Sequence, residues 1–173
     1  MLIQDSVRNE TSEFSLNGLR FAINLGFLPF YWLDNDFILF AYNKDVNNSR
    51  KQGICILDIK YRKVTEYGNK FYPTFYPSPN NDKVMVSYGS DEFYMGDGSG
   101  FRYQNLSLFD KYGREKLLYK IYVKGGMIAS VSWRNDSNTF YFLTQNSNNP
   151  LFSLSRFEEK NRFDYSLYDM ELY

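Results

Sequence analysis

The stretch Tyr76-Pro77-Ser78-Pro79-Asn80-Asn81-Asp82-Lys83-Val84-Met85-Val86-Ser87-Tyr88 decides the fold class. Its two prolines fix φ, its Asn-Asn-Asp run supplies side-chain acceptors for a turn, and Val84 to Tyr88 has the β-branched, apolar composition of a strand. Upstream, Phe71-Tyr72-Pro73-Thr74-Phe75-Tyr76 reads as a preceding strand; downstream, Asn105 to Asp110 turns at Lys111-Tyr112-Gly113 into Arg114 to Lys120. Residues 71–120 therefore read as four consecutive antiparallel strands, interrupted by one long loop from Gly89 to Tyr103.

Weaker copies of this unit lie on both sides. Trp32-Leu33-Asp34-Asn35-Asp36 leads into Phe37-Ile38-Leu39-Phe40-Ala41-Tyr42, a run apolar enough for a strand covered on both faces. A loop at Asn43 to Gln52 then precedes strands at Gly53 to Ile59 and Lys63 to Tyr67. The third copy runs from Met127 to Trp133, turns through Arg134-Asn135-Asp136-Ser137-Asn138, and continues as Thr139 to Thr144 and Pro150 to Phe157. Corresponding strands begin at Ile38, Val84 and Phe140; the first step fits the roughly 40–50-residue period of four-stranded propeller blades, and the longer second step carries the excess of the Gly89 to Tyr103 loop. Period-two alternation, with Asn, Asp, Gly or Pro every ~8–12 positions, is the pattern of strands and not of helices.

At the N-terminus, Phe14, Leu16, Leu19, Phe21 and Ile23 alternate around Asn17-Gly18, a strong hairpin signal. A hairpin is expected over 13–24, behind a frayed polar lead-in at 1–12. The whole chain reads as one all-β domain, 1–173, with units at about 30–67, 71–120 and 127–157. Because ~4–8 blades close a ring, the 13–24 hairpin and the terminal strand within 163–173 are expected to pair as a closing fourth blade. The same meanders are compatible with a β-sandwich or twisted open sheet.

The Tyr76 to Val86 segment resembles the TolB-like, WD40-like β-propeller repeat, in which an aromatic or small residue, Ser-Pro-Asp/Asn-Gly, a basic residue and a hydrophobic strand follow in that order. Trp133-Arg134-Asn135-Asp136-Ser137-Asn138-Thr139-Phe140-Tyr141-Phe142 resembles a degenerate copy, and Trp32 to Phe40 a shortened one. The turn glycine is absent from all three and the Pro pair from two. The resemblance implies a small propeller-like array of about four antiparallel meander blades.

Composition narrows the chemistry. Aromatic residues make up 20% of the 173 positions, a bias towards half-buried pleated surfaces. Basic and acidic residues balance at 20 each, so no long-range field favours nucleic acid or an acidic membrane. The charged Met1 to Glu10 segment lacks a signal-peptide core, and no stretch approaches the ~20 apolar residues of a membrane span; a cytoplasmic protein is expected. The chain has no histidine, which removes Ser-His-Asp and Cys-His catalysis and histidine metal sites together. Cys55, within Ile54-Cys55-Ile56-Leu57, reads as a small buried hydrophobe. The clustered glycines Gly96, Gly98 and Gly100 lead into a strand and not a helix, so a phosphate cradle is not expected. No cofactor, metal site or catalytic residue is expected, and the chain reads as a non-enzyme.

Function is sought in the 89–103 segment. It carries Asp91, Glu92, Phe93, Tyr94, Met95, Asp97, Phe101, Arg102 and Tyr103, residue types that anchor protein interfaces. The expected function is protein binding through this segment. Small, aromatic- and Asn-rich all-β chains of this kind resemble in type the bacterial immunity proteins that bind and block interbacterial toxins, which implies a cognate toxin as partner. The alternative gives Asp91, Glu92 and Asp97 a glycan- or small-ligand-binding role, or that of hydrolytic carboxylates. A fragment of a larger propeller protein is a third reading.

Overall fold

The turn that carries the repeat is built around Ser78. In the computed structural model, which describes residues 1–5, 10–16, 18–21, 30–33, 36–46, 49–95, 98–123, 126–146, 149–161 and 164–170, Ser78 is buried. Its backbone N–H donates to the Lys83 carbonyl at 2.9 Å, and its hydroxyl accepts from the Lys83 N–H at 3.1 Å. Asn81, with φ 57°, donates its N–H to the Ser78 carbonyl at 2.9 Å. The same geometry recurs one unit later: Arg134 N–H donates to Thr139, Ser137 N–H to Arg134, and Ser137 has φ 58°. Asn81 and Ser137 thus occupy the left-handed position where the propeller repeat carries glycine, a conformation that Asn tolerates better than most residues.

Three sheets follow from three such meanders. In the first, β3 (Arg20–Phe21) and β4 (Phe30–Leu33) both pair with β5 (Phe37–Val46), which is followed by β6 (Ser49–Asp58) and β7 (Lys63–Gly68). The second has the order β8 (Phe71–Pro77), β9 (Lys83–Met95), β10 (Gly98–Asp110), β11 (Glu115–Tyr122). The third runs β12 (Gly126–Trp133), β13 (Thr139–Asn146), β14 (Asn149–Asn161), β15 (Asp164–Met170). A ribbon of β1 (Leu2–Asp5) and β2 (Glu10–Glu13) is the remaining unit. Every pairing is antiparallel. Among the described residues no helix is long and apolar enough to cross a membrane.

The sheets stack face to face. Leu33, Leu39, Ala41, Ile54 and Ile56 of the first pack against Phe75, Val84, Val86, Tyr88 and Phe109 of the second. The opposite face of the second sheet, with Met85, Leu106 and Leu108, meets Ile128, Val131, Phe140, Phe142, Phe157 and Tyr165 of the third. In that layer Phe140 stacks on Phe157 with centroids 5.1 Å apart and meets Trp133 at 5.2 Å. A middle sheet buried on both faces has no place in a two-sheet sandwich; the architecture is a propeller-like series of blades. Burial of a Phe or Leu side chain contributes roughly 1.5–3 kcal/mol, so these two layers supply much of the stability.

The chain ends depart from the expected closing blade. β15 pairs with β14 and completes the third sheet. At the N-terminus, the expected lead-in is the β1–β2 ribbon. A turn does form before Gly18, with Leu19 N–H on the Leu16 carbonyl at 2.9 Å, but its flanks do not pair with each other: Arg20 and Phe21 lie opposite Asn43 and Tyr42. The reason is burial, because Phe14 and Leu19 cover the outer face of the first sheet with Ile38, Phe40, Tyr42, Cys55 and Leu57. That cover pushes the Cys55 thiol up to about 12, first by burial and then by the nearby Glu66 charge, so the thiol stays protonated at neutral pH. Where a loop is expected over 43–52, the described residues 43–46 and 49–52 are strand, since β5 and β6 remain paired to Val46 opposite Ser49. Its polar residues form the wet end of a hairpin, where Lys44 meets Glu66 at 3.3 Å.

Asn81→Gly should leave thermal stability unchanged or slightly raised, whereas Asn81→Val should lower unfolding free energy by about 1–2 kcal/mol, read by chemical denaturation. Equal stability of the two variants would refute the left-handed assignment.

Candidate functional site

The middle sheet contains the chain's expected site, and its geometry follows from strand length. β8 stays beside β9 as far as the pair Phe71 and Gly89, and β11 joins β10 only from Tyr103 opposite Tyr122. β9 and β10 continue together to Met95 opposite Gly98. The segment expected to be a long loop is therefore the end of a two-stranded hairpin extending about six residues, roughly 20 Å, past its neighbours. The Gly-rich composition of 96–100 conceals the ribbon in the sequence.

The root of the hairpin is fastened by polar contacts to both neighbouring blades. Gln104 donates through Nε2 to Ser87 Oγ at 2.9 Å and to the Ile128 carbonyl at 3.3 Å. Its Oε1 accepts the Ile128 N–H at 2.7 Å. Both free backbone groups of Ile128, on the inner edge of the third sheet, are thereby satisfied by one side chain. On the first-sheet side, Lys70, just before β8, donates its backbone N–H to the Gln52 carbonyl of β6 at 3.4 Å, while its Nζ lies 2.7 Å from Glu115 Oε1 and 3.1 Å from the Tyr88 hydroxyl, which itself donates to Glu115 at 3.0 Å. Burial, ahead of the other influences, raises the Tyr88 pKa, so its hydroxyl remains a donor. Sequence reading missed Gln104 and Lys70; a lone Gln and a lone Lys carry no pattern until the fold brings Ile128 and Glu115 to them.

Of the expected interface residues, Arg102 is exposed and Tyr103 half-buried. The Tyr103 ring lies 5.6 Å from that of Tyr122, and Lys120 Nζ sits 3.7 Å from its centroid, a cation–π contact at the hairpin's base. Asp97 and the side chains of Asp91, Glu92, Phe93, Tyr94, Met95 and Phe101 lie outside the described residues. By backbone position, Ser90 is opposite Tyr103, Glu92 opposite Phe101 and Phe93 opposite Gly100.

A second concavity lies at the opposite end of the same two strands. Asp82, Lys83, Asp110, Lys111, Tyr112, Arg114 and Glu159 line a cleft of about 80 Å³, far below the roughly 300 Å³ at which small-molecule sites begin. Its charges are internally matched: Lys83 Nζ is 2.6 Å from Glu159 and Arg114 is 2.5 Å from Asp110. Burial first, and then Glu159, raises the Tyr165 pKa, so Tyr165 stays neutral beside the Lys83–Glu159 pair. This cleft joins the second and third sheets. Among the described residues no group of three or more Cys, Asp or Glu side chains is arranged to hold a metal ion.

No protein-family model matches the chain, and no curated protein matches it by sequence. Among solved structures it is similar to the β-propeller domain of the Trilobed protease from Pyrococcus furiosus, described as having an open velcro topology, with 13% identity and a TM-score of 0.52 over 79% of this chain and 40% of that one. Pyrococcus horikoshii acylaminoacyl peptidase aligns over 78% of this chain and 24% of its own, at 10% identity and a TM-score of 0.45. The first likeness supports the propeller-like fold alone; the chain spans two-fifths of the length of that structure.

Replacing Gln104 with Leu should cost about 1–3 kcal/mol, the penalty for leaving the Ile128 backbone groups unpaired, measured by urea denaturation. A change below ~0.5 kcal/mol, the scale of an ordinary surface substitution, would show that Gln104 does not hold the hairpin root.

Proposed function

We propose that this chain is a non-enzymatic protein-binding module that engages its partner through the projecting end of the β9–β10 hairpin, and that the partner is a cognate bacterial toxin blocked by the complex, as in immunity proteins. The observation that carries the reading is the hairpin's extension beyond both neighbouring strands from a root fixed by Gln104 and Lys70. A ribbon of this kind presents interface anchors at low ordering cost, because its base is already immobile. Asp91, Glu92, Phe93, Tyr94, Met95, Asp97, Phe101, Arg102 and Tyr103 combine aromatic anchors with charges of both signs, the mixture found at interface centres and rims. Its unpaired strand edges add backbone donors and acceptors for a partner strand.

Binding is favoured over carboxylate catalysis because the segment joins its acids to Phe93, Tyr94, Met95, Phe101, Arg102 and Tyr103, residue types that anchor interfaces. Complex formation is placed in the cytoplasm, where a self-protecting inhibitor meets its toxin. Co-expression with the products of adjoining reading frames tests this: a stoichiometric complex that suppresses a toxic neighbour is expected. Replacing residues 90–102 by a two-residue Asn-Gly turn should preserve the unfolding transition and weaken that complex at least ~100-fold, the scale of losing two interface anchors. Full binding by the shortened chain, or no partner among neighbouring products, would overturn the proposal; loss of hydrolysis on Asp91, Glu92 and Asp97→Asn substitution would favour an enzyme.

A further inference from the structure

Two strand edges run on past their neighbours in the middle sheet: β9 beyond Phe71 of β8, at 90–95, and β10 beyond Tyr122 of β11, at 98–102. Among the described residues no further strand pairs with either stretch. The two edges are not equivalent. On the β9 side, the backbone N–H groups of Lys70 and Tyr72 donate to the Gln52 carbonyl and to Gln52 Oε1, which sets the end of β6 against the start of β8. The β9 stretch also holds Asp91 and Glu92, charges of the kind that discourage edge pairing. On the β10 side, the chain leaves β11 after Tyr122 and enters a different sheet at Gly126, so the fold itself vacates the lane beyond β11. The stretch bordering that lane is Gly98-Ser99-Gly100-Phe101-Arg102, with no charge or proline before Arg102. The outermost strand of each sheet, by contrast, carries charges: Lys63 and Glu66 in β7, Glu115, Lys116 and Lys120 in β11, Asp164 and Asp169 in β15.

We propose that the partner lays an extended segment along 98–102 of β10, in line with β11, and so joins the middle sheet as an added strand. The inference rests on the hairpin being the partner-binding element, and it fixes which edge is used and what that edge accepts. Backbone chemistry selects the occupant. A strand edge offers N–H and C=O groups at a fixed spacing, and another extended backbone meets them in register. Gly100 lies in an unbroken β9–β10 register, so it serves no bulge; the other use of glycine inside a strand is to let a second backbone come close. The foot of the lane is furnished for the end of the segment. Tyr122 is 46% and Val123 37% exposed, and Tyr103 and Tyr122, directly opposite each other, share one face. With Lys120 Nζ over the Tyr103 ring, this wall favours a segment whose nearest side chain is acidic.

Amide hydrogen exchange on the full chain, alone and saturated with the toxin captured by co-expression with adjoining reading frames, tests this. Alternate amides of an edge strand point away from its partner. The outward amides of 98–102 should slow at least ~10-fold in the complex, while those of 90–95 keep their rate. Of Ser99→Pro and Gly100→Pro, the one that removes an outward amide should weaken the complex at least ~5-fold, the scale of one lost hydrogen bond, with the unfolding transition unchanged. Lys120→Glu should weaken it by at least ~5-fold through charge reversal. Slowing at 90–95 and not at 98–102, or a complex that the 90–102 replacement abolishes but neither the outward proline nor Lys120→Glu weakens, would overturn the added strand and leave hairpin binding standing. A complex that survives the 90–102 replacement, or no complex at all, would overturn both.

Discussion

The middle sheet must be apolar on both faces, and most of the structure depends on that constraint. Val84, Val86 and Phe109 point one way and Met85, Leu106 and Leu108 the other, and all six are fully buried. A strand that satisfies two neighbours at once cannot slip by one residue, because a slip would exchange its two faces and present each to the wrong partner. The first sheet meets the same demand, with Leu39, Ile54 and Ile56 against the middle sheet and Ile38, Phe40, Cys55 and Leu57 under the N-terminal segment. The third sheet packs one face on the middle sheet and carries exposed Met127, Phe152 and Tyr168 on the other.

The same constraint sets where a functional element can be grafted. β9 and β10 are buried on both faces, and extending them past the core produces a projection whose base is rigid without any contribution from its tip. Gln104 and the Lys70–Tyr88–Glu115 group then tie that base to the flanking blades. At the other end of these strands the Lys83–Glu159 and Asp110–Arg114 pairs neutralise one another, making a joint and not a receptor. Such partly buried ion pairs contribute more to register than to stability.

How much of this was legible in the sequence varies with the range of the interaction. The turn around Ser78 and its copy at Ser137 were readable, because turn chemistry is local, and the absent glycine proved to be replaced by Asn81 and Ser137 in the same left-handed conformation. The segments 43–52 and 89–103 were misread as loops for one reason: polar and glycine-rich residues on solvent-facing strand ends look like turns when their cross-strand partners are unknown. The fate of the chain ends was illegible, since nothing in Asn17-Gly18 states that Leu19 is worth more against Cys55 and Leu57 than in a local hairpin. Gln104 was invisible for the same reason, its partner Ile128 lying 24 positions away.

Amide hydrogen exchange followed residue by residue tests the central claim most directly, since protection tracks the free energy of local opening. The account predicts slow exchange at Val84 to Tyr88 and Asn105 to Phe109, as in the doubly covered Ile38 to Tyr42 and Ile54 to Leu57, faster exchange in the third sheet, and exchange orders of magnitude faster in the hairpin at 90–95 and 98–102. A middle sheet that exchanges before the third, or a hairpin end as protected as its root, would contradict it.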